Sequence, residues 1–151
     1  MTLRANYFEL APGAINILME QEAYLREQFL ASNDITVSTW ELVKLRVSQI
    51  NQCAFCIDMH SRAALDCHIA QEKLIGLNAW RDMDCYSTHE QAALAWAEIV
   101  LTGDRIENVV YQKAVDALTE KGIVDLTIAV NAISSWNNIV RVFKPKVGSY
   151  K

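Results

Sequence analysis

ELVKLRVSQINQCAFCIDMHSRAAL, residues 41–65, reads as two helices that meet at a turn. Leu42, Val43, Leu45, Val47 and Ile50 recur at helical spacing, behind Ser38 or Thr39 as an N-cap that sets Glu41 in the first turn. Asn51 punctuates the pattern, and a further helix carries Cys53, Cys56 and His60 on to about Leu65. At roughly 100° per residue these three fall near 0°, 300° and 340°, inside one sector of about 60°. Ile57 and Ala64 share that side while Asp58, Ser61 and Arg62 point away, so the face bearing Cys53, Cys56 and His60 is the buried one. A chain reversal at Asn51 leaves Glu41 ten positions before the turn and His60 nine after it. At ~1.5 Å per residue the two stand at similar heights on antiparallel helices.

The rest of the chain is helical in the same way. Pro12 suits the first turn of a helix through GAINILMEQEAYLREQFL, with Ile15, Leu18, Met19, Leu25 and Phe29 on its apolar side. A short helix is predicted near QEKLIGLNAW. Ser87 with Glu90 three residues later is a capping-box pattern ahead of AALAWAEIVL, and Gly103 ends that helix. ENVVYQKAVDAL and GIVDLTIAVNAISSWNNIVRVF supply two more, separated around Thr119 to Gly122. Period-two alternation never persists, and no linker or repeat interrupts the chain. These patterns predict one all-α domain over residues 1–151, mostly antiparallel, with a helical hairpin carrying the Cys-x-x-Cys site.

Composition narrows the function. A net charge of -4 with 14 scattered Lys and Arg speaks against nucleic acid as a partner. The longest apolar stretches are too short to span a bilayer and contain Glu98 or Asp125, and residues 1–10 lack the pattern of a secretory signal, so a cytoplasmic protein without membrane attachment is expected. With 52% hydrophobic residues against 21% charged, some apolar surface is expected to meet a second copy in a homo-oligomer. In a reducing compartment, closely spaced cysteines point to metal binding or catalysis rather than to a structural framework.

Three readings of the cluster stay open on these grounds. In the first, Cys56 and His60 form an i, i+4 pair, the helix start favours a thiolate, and a Glu41–His60–Cys56 relay activates Cys56 with Cys53 as second thiol. Such a pair would cycle between dithiol and disulfide without an organic or metal cofactor. In the second, the two thiols, His60 and Glu41 hold zinc in a non-catalytic assembly protein. In the third, three unrelated residues share a core face, and Glu41 is a helix-start carboxylate paired with Lys44. Cys67 is a packing residue or an accessory thiol, and Cys85 and His89 have no assigned role.

With this constellation assembled, the chain resembles the alkylhydroperoxidase D-like (AhpD-like) branch of the carboxymuconolactone decarboxylase family. NYFELAPGAINILMEQEAYL, the 41–65 stretch, EQAALAWAEIV, VDLTIAVNAI and WNNIV match family segments in the same order. The resemblance implies a thiol-dependent peroxidase with a site of Glu41, Cys53, Cys56 and His60. It makes Cys56 the thiol oxidised by peroxide to a sulfenic acid, and Cys53 the proton donor and resolving thiol. It also implies a hydroperoxide substrate, a dihydrolipoamide-bearing protein or other dithiol as reductant, a peroxiredoxin as electron acceptor, and a trimer or hexamer. A disulfide reductase or redox adaptor for another protein is the alternative within the same chemistry. The decarboxylases that name the family lack the cysteine pair, which disfavours their reaction here. Some members that partner a peroxiredoxin have a second histidine where this chain has Phe55.

Overall fold

Helix start and stop signals follow one another along the chain, and the fold is assembled from the segments they bound. The computed structural model describes residues 4–150, and no strand occurs among them. In chain order the helices are α1 (Tyr7–Leu10), α2 (Pro12–Ala31), α3 (Val37–Ile50), α4 (Ala54–Asp66), α5 (Gln71–Ile75), α6 (Thr88–Thr102), α7 (Asn108–Leu118) and α8 (Glu120–Phe143). A 3-10 segment, Leu77–Asp82, lies between α5 and α6.

The boundaries have local causes. Pro12 opens α2, where its missing N–H is one of the donors a helix start leaves unbonded. Ser87 and Glu90 form the reciprocal capping box of α6, at 3.2 Å and 2.8 Å, and Gly103 closes that helix at φ +70°. Besides the start of α4, three boundaries differ from the sequence expectation. The cap of α3 is Thr36, whose Oγ1 accepts from the Thr39 N–H at 3.2 Å, rather than Ser38 or Thr39. Glu41 is consequently the fifth residue of the helix, beyond the reach of its first-turn N–H groups. The break between α7 and α8 is a single residue, Thr119 at φ +65°, whose hydroxyl accepts from the Gly122 N–H and so starts α8 at once. The third is α1, a single turn capped by Asn6 that is too short to show a period.

Because α3 is buried on nearly all sides from Thr39 to Ser48, it occupies the middle of the molecule, against α4, α6 and α8. Leu42, Val43, Leu45 and Val47 fill the core there together with Ala93, Leu94 and Ala97 of α6 and Leu126, Ala129, Val130 and Ile133 of α8. The alanines let the neighbouring helices approach closely. Leu25 and Phe29 of α2 close one side, with the Phe29 ring 5.2 Å from that of Trp40. Polar ties add register. Glu98 of α6 accepts from Arg46 of α3 at 2.7 Å and from the Trp80 indole at 3.0 Å, and it also pairs with Arg81.

The α3–α4 turn is fastened from α8. Asn137 is fully buried, its Nδ2 donates to Ser48 Oγ at 3.0 Å, and its Oδ1 accepts from Asn51 Nδ2 at 3.1 Å. One amide thus spans the last turn of α3 and the residue after it. Replacing Asn137 with Ala leaves Ser48 Oγ buried without that donor. We expect Asn137→Ala to lower stability by about 1–3 kcal/mol, read as a reduced denaturant midpoint at unchanged slope; a midpoint equal to the parent's would mean the amide bridge contributes nothing.

Candidate functional site

The start of α4 brings the two cysteines together by capping. Cys53 is the N-cap, in extended conformation at φ -92° and ψ 93°, and its Sγ accepts from the Cys56 N–H at 3.4 Å. An N-cap side chain folds back over the first turn, which carries Sγ of Cys53 to Cys56 even though Cys53 lies outside the helix. The wheel treated Cys53 as helical, whereas the convergence of the two sulfurs arises from the cap. Their Cα atoms are 5.3 Å apart and the sulfurs are joined as a disulfide. Both residues are only 1% exposed and pack with Val140 of α8 and Phe55.

One turn on, His60 is buried on the same face of α4. Its Nδ1 lies 3.1 Å from Glu41 Oε2 on α3. An ionised carboxylate can only accept, so Nδ1–H donates and Nε2 is left with its lone pair. That Nε2 is buried and makes no hydrogen bond among the described residues. The second oxygen of Glu41, Oε1, accepts from Lys44 Nζ at 2.6 Å, and the same ammonium sits 3.6 Å from the centre of the Trp40 ring. Glu41, Lys44 and His60 are 5%, 7% and 6% exposed, which makes this a buried charge cluster. The pairing of Glu41 with Lys44 is present, and it is buried together with His60.

Burial raises the Glu41 carboxyl, but the hydrogen bond from His60 and the Lys44 charge outweigh it, and Glu41 is held below its ordinary range. For His60 burial is the largest influence and lowers its proton affinity; the Glu41 hydrogen bond opposes this and Lys44 reinforces it, leaving the imidazole below its usual 6.5. His60 is therefore a neutral base near pH 7, held in one tautomer. Its position at i+4 from Cys56 puts the two on adjacent turns of one face.

The remaining residues singled out from sequence lie apart. Cys67 follows α4 as a half-buried free thiol, raised by burial and by the Glu41 charge. Cys85 is free, and His89 stands 3.8 Å from Asp34 at the surface. No group of three or more His, Cys, Asp or Glu among the described residues is arranged to hold a metal ion. Asn137, which falls in the WNNIV segment, supports the hairpin through Ser48 and Asn51. Tyr150 packs edge-on to Phe55 at 5.4 Å and donates to Asp58 Oδ2 at 2.6 Å, which ties it to the first turns of α4. Neither a polar cleft of about 280 Å³ beside Asp34 and Lys121 nor an apolar groove of about 250 Å³ beside Tyr7 and Phe143 is lined by Glu41, Cys53, Cys56 or His60. None of the described helices is long and apolar enough to cross a membrane.

Comparison with known proteins places this geometry among relatives. Residues 19–98 match the carboxymuconolactone decarboxylase family. The chain is 37% identical over 141 residues to the uncharacterized protein YdfG of Bacillus subtilis (strain 168), covering 92% of each chain. It is also similar in structure to a protein of unknown function from Agrobacterium tumefaciens, for which a role in antioxidant defence as an AhpD has been suggested. The TM-score is 0.85 at 28% identity, over 96% of this chain and 97% of that one.

Two consequences of the buried cluster can be measured. Glu41→Gln strands the Lys44 ammonium without its counter-charge, and we expect a loss of about 3–5 kcal/mol. Adding Lys44→Met should recover part of that loss in urea unfolding; equal stability of Glu41→Gln and parent would show that the pair is dispensable. Because His60 binds its proton more weakly folded than unfolded, its contribution is complete above pH 6.5 and is lost as pH falls from 6.5 towards the folded value. Glu41 acts in the same direction, starting lower, from 4.5 downwards. His60→Gln should abolish the upper window and weaken the lower one, since His60 also helps to hold Glu41 down, whereas a parallel pH–stability curve would remove His60 from this account.

Proposed function

From the chain's membership of the carboxymuconolactone decarboxylase family, in its AhpD-like branch, we propose that it is a thiol-dependent peroxidase that cycles Cys53 and Cys56 between dithiol and disulfide. What carries this reading is the bare, buried Nε2 of His60, one turn from a cysteine pair at a helix start, with Nδ1 held by Glu41. The antioxidant role suggested for the Agrobacterium tumefaciens relative is in keeping with it.

In the reduced enzyme His60 Nε2 takes the Cys56 proton, and the imidazolium is stabilised by Glu41. The Cys56 thiolate attacks one peroxide oxygen of ROOH. The O–O bond breaks, Cys56 becomes a sulfenic acid, and the leaving alkoxide collects a proton as ROH. Cys53 then attacks the Cys56 sulfur, the S–O bond breaks, and water leaves as the disulfide forms. Two electrons have passed from the dithiol to the peroxide. A dithiol such as a dihydrolipoamide-bearing protein returns them by exchange through a mixed disulfide, and a peroxiredoxin is a further candidate partner. Cys53 and Cys56 do not touch solvent freely, so a small hydroperoxide suits them better than a bulky one.

The active form in this reading is a homo-oligomer, a trimer or hexamer. Phe8, Leu10, Ile17 and Met19 on α1 and α2 are 52–74% exposed, apolar side chains that a second copy could cover.

Peroxide consumption coupled to a dithiol reductant tests the proposal. Cys56→Ser should abolish turnover, and Cys53→Ser should permit one oxidation and trap a sulfenic acid at Cys56, detected by mass spectrometry with a sulfenic-acid probe. Turnover that survives Cys56→Ser rejects the assignment. Loss of disulfide exchange in both variants, with no peroxide consumed by the parent, would favour the redox-adaptor reading.

A further inference from the structure

The relay reading accounts for Glu41 Oε2 and leaves Oε1 unexplained. Lys44 Nζ lies 2.6 Å from that oxygen, on the same helix and three residues on, and the Trp40 ring covers the ammonium at 3.6 Å. A lysine so thoroughly buried is retained only where a partner compensates its charge. Resting on the peroxidase proposal above, and deepening it, we propose that Lys44 is a positioning residue of the relay: by occupying Oε1 it keeps Glu41 ionised and turned so that Oε2 accepts from His60 Nδ1, leaving Nε2 as the base.

The argument is one of proton placement. A buried carboxylate without a cation takes up a proton, and a protonated carboxyl donates where the carboxylate accepted. Its O–H then points at Nδ1, the imidazole N–H moves to Nε2, and the nitrogen that the relay needs as its base becomes a donor. In the other arrangement the proton sits on both nitrogens of a permanent imidazolium. Either outcome removes the acceptor that the Cys56 thiol requires. The other groups around the cluster do not replace Lys44. Glu22 on α2 faces Lys44 and Glu41, with Trp136 of α8 beside it, and is a carboxyl raised by burial. Cys67, after α4, is a thiol raised by burial and by Glu41. Neither supplies a positive charge.

The tautomer of His60 can be read without activity, in the oxidised protein, from histidine ¹⁵N shifts assigned with His60→Gln. The parent should show N–H at Nδ1 and a lone pair at Nε2 near neutral pH; an Nε2–H tautomer in the parent overturns the proposal on its own. In Lys44→Met the Nδ1–H tautomer should be lost, and in Lys44→Arg it should persist. Lys44→Gln, of similar length without the charge, serves if the Met variant does not fold, and should also lose it. A folded, uncharged variant with the parent's tautomer shows Lys44 to be structural only. Alkylation of reduced Cys56 should slow by about a hundredfold in step with the tautomer. If the tautomer responds but the parent consumes no peroxide, the positioning stands and the peroxidase reading fails. If peroxide is consumed and the tautomer is indifferent to Lys44, the reverse holds.

Discussion

A carboxylate buried in a helical core needs a partner for each oxygen, and Glu41 obtains them from two different directions. Lys44 reaches Oε1 from the next turn of α3, and His60 reaches Oε2 from α4. The first bond is local and follows from spacing alone. The second forms only if α4 returns alongside α3 in one register, since a shift by a single turn, ~5.4 Å, would separate Glu41 from His60. Burial of the cluster and register of the hairpin are therefore one constraint: the charges at its centre tolerate only the arrangement in which both oxygens are satisfied.

The helices around the hairpin maintain that arrangement. Asn137 holds the turn through Ser48 and Asn51, and Val140, one turn further along α8, reaches the sulfurs. The helix that fastens the turn thus also packs against the cysteine pair. The single-residue joint at Thr119 starts α8 immediately after α7, and its 24 residues run from Glu120 to Phe143 against α2, α3, α6 and α7. Arg46 and Glu98 fix α3 against α6 on the opposite side. No part of the site stands on a long loop.

Much of this was legible in the chain because it depends on periodicity and capping, which act over a few residues. The Pro12 start, the Ser87–Glu90 box and the Gly103 stop all announce themselves within one turn. The approach of Glu41 to His60 followed from counting residues on either side of Asn51, since rise per residue is constant in a helix. What escaped depended on choosing among equivalents or on distant parts of the chain. Thr36, Ser38 and Thr39 all carry hydroxyls, and only backbone conformation selects Thr36 as the cap. The depth at which Lys44 sits was discernible in principle: TWELVKLRV places an acid and a base three apart in an otherwise apolar run. An exposed ion pair on an amphipathic helix has that same spacing, so the spacing alone cannot separate the two. The crossing of Tyr150 to Phe55 and Asp58 spans 92 residues or more of sequence and leaves no local mark.

Burial of the cysteine pair gives the sulfurs a kinetic character. With Cys53 and Cys56 almost fully enclosed, any reagent too large for the native packing reacts only with molecules that have momentarily parted. Its apparent rate is then the intrinsic rate multiplied by the open fraction, and each ~1.4 kcal/mol of opening free energy slows it about tenfold. A reagent small enough to slip through the packing escapes that penalty. Discrimination between the two arises from breathing of the fold, with no shape-matched cavity required, and it narrows with denaturant or heat as the open population grows.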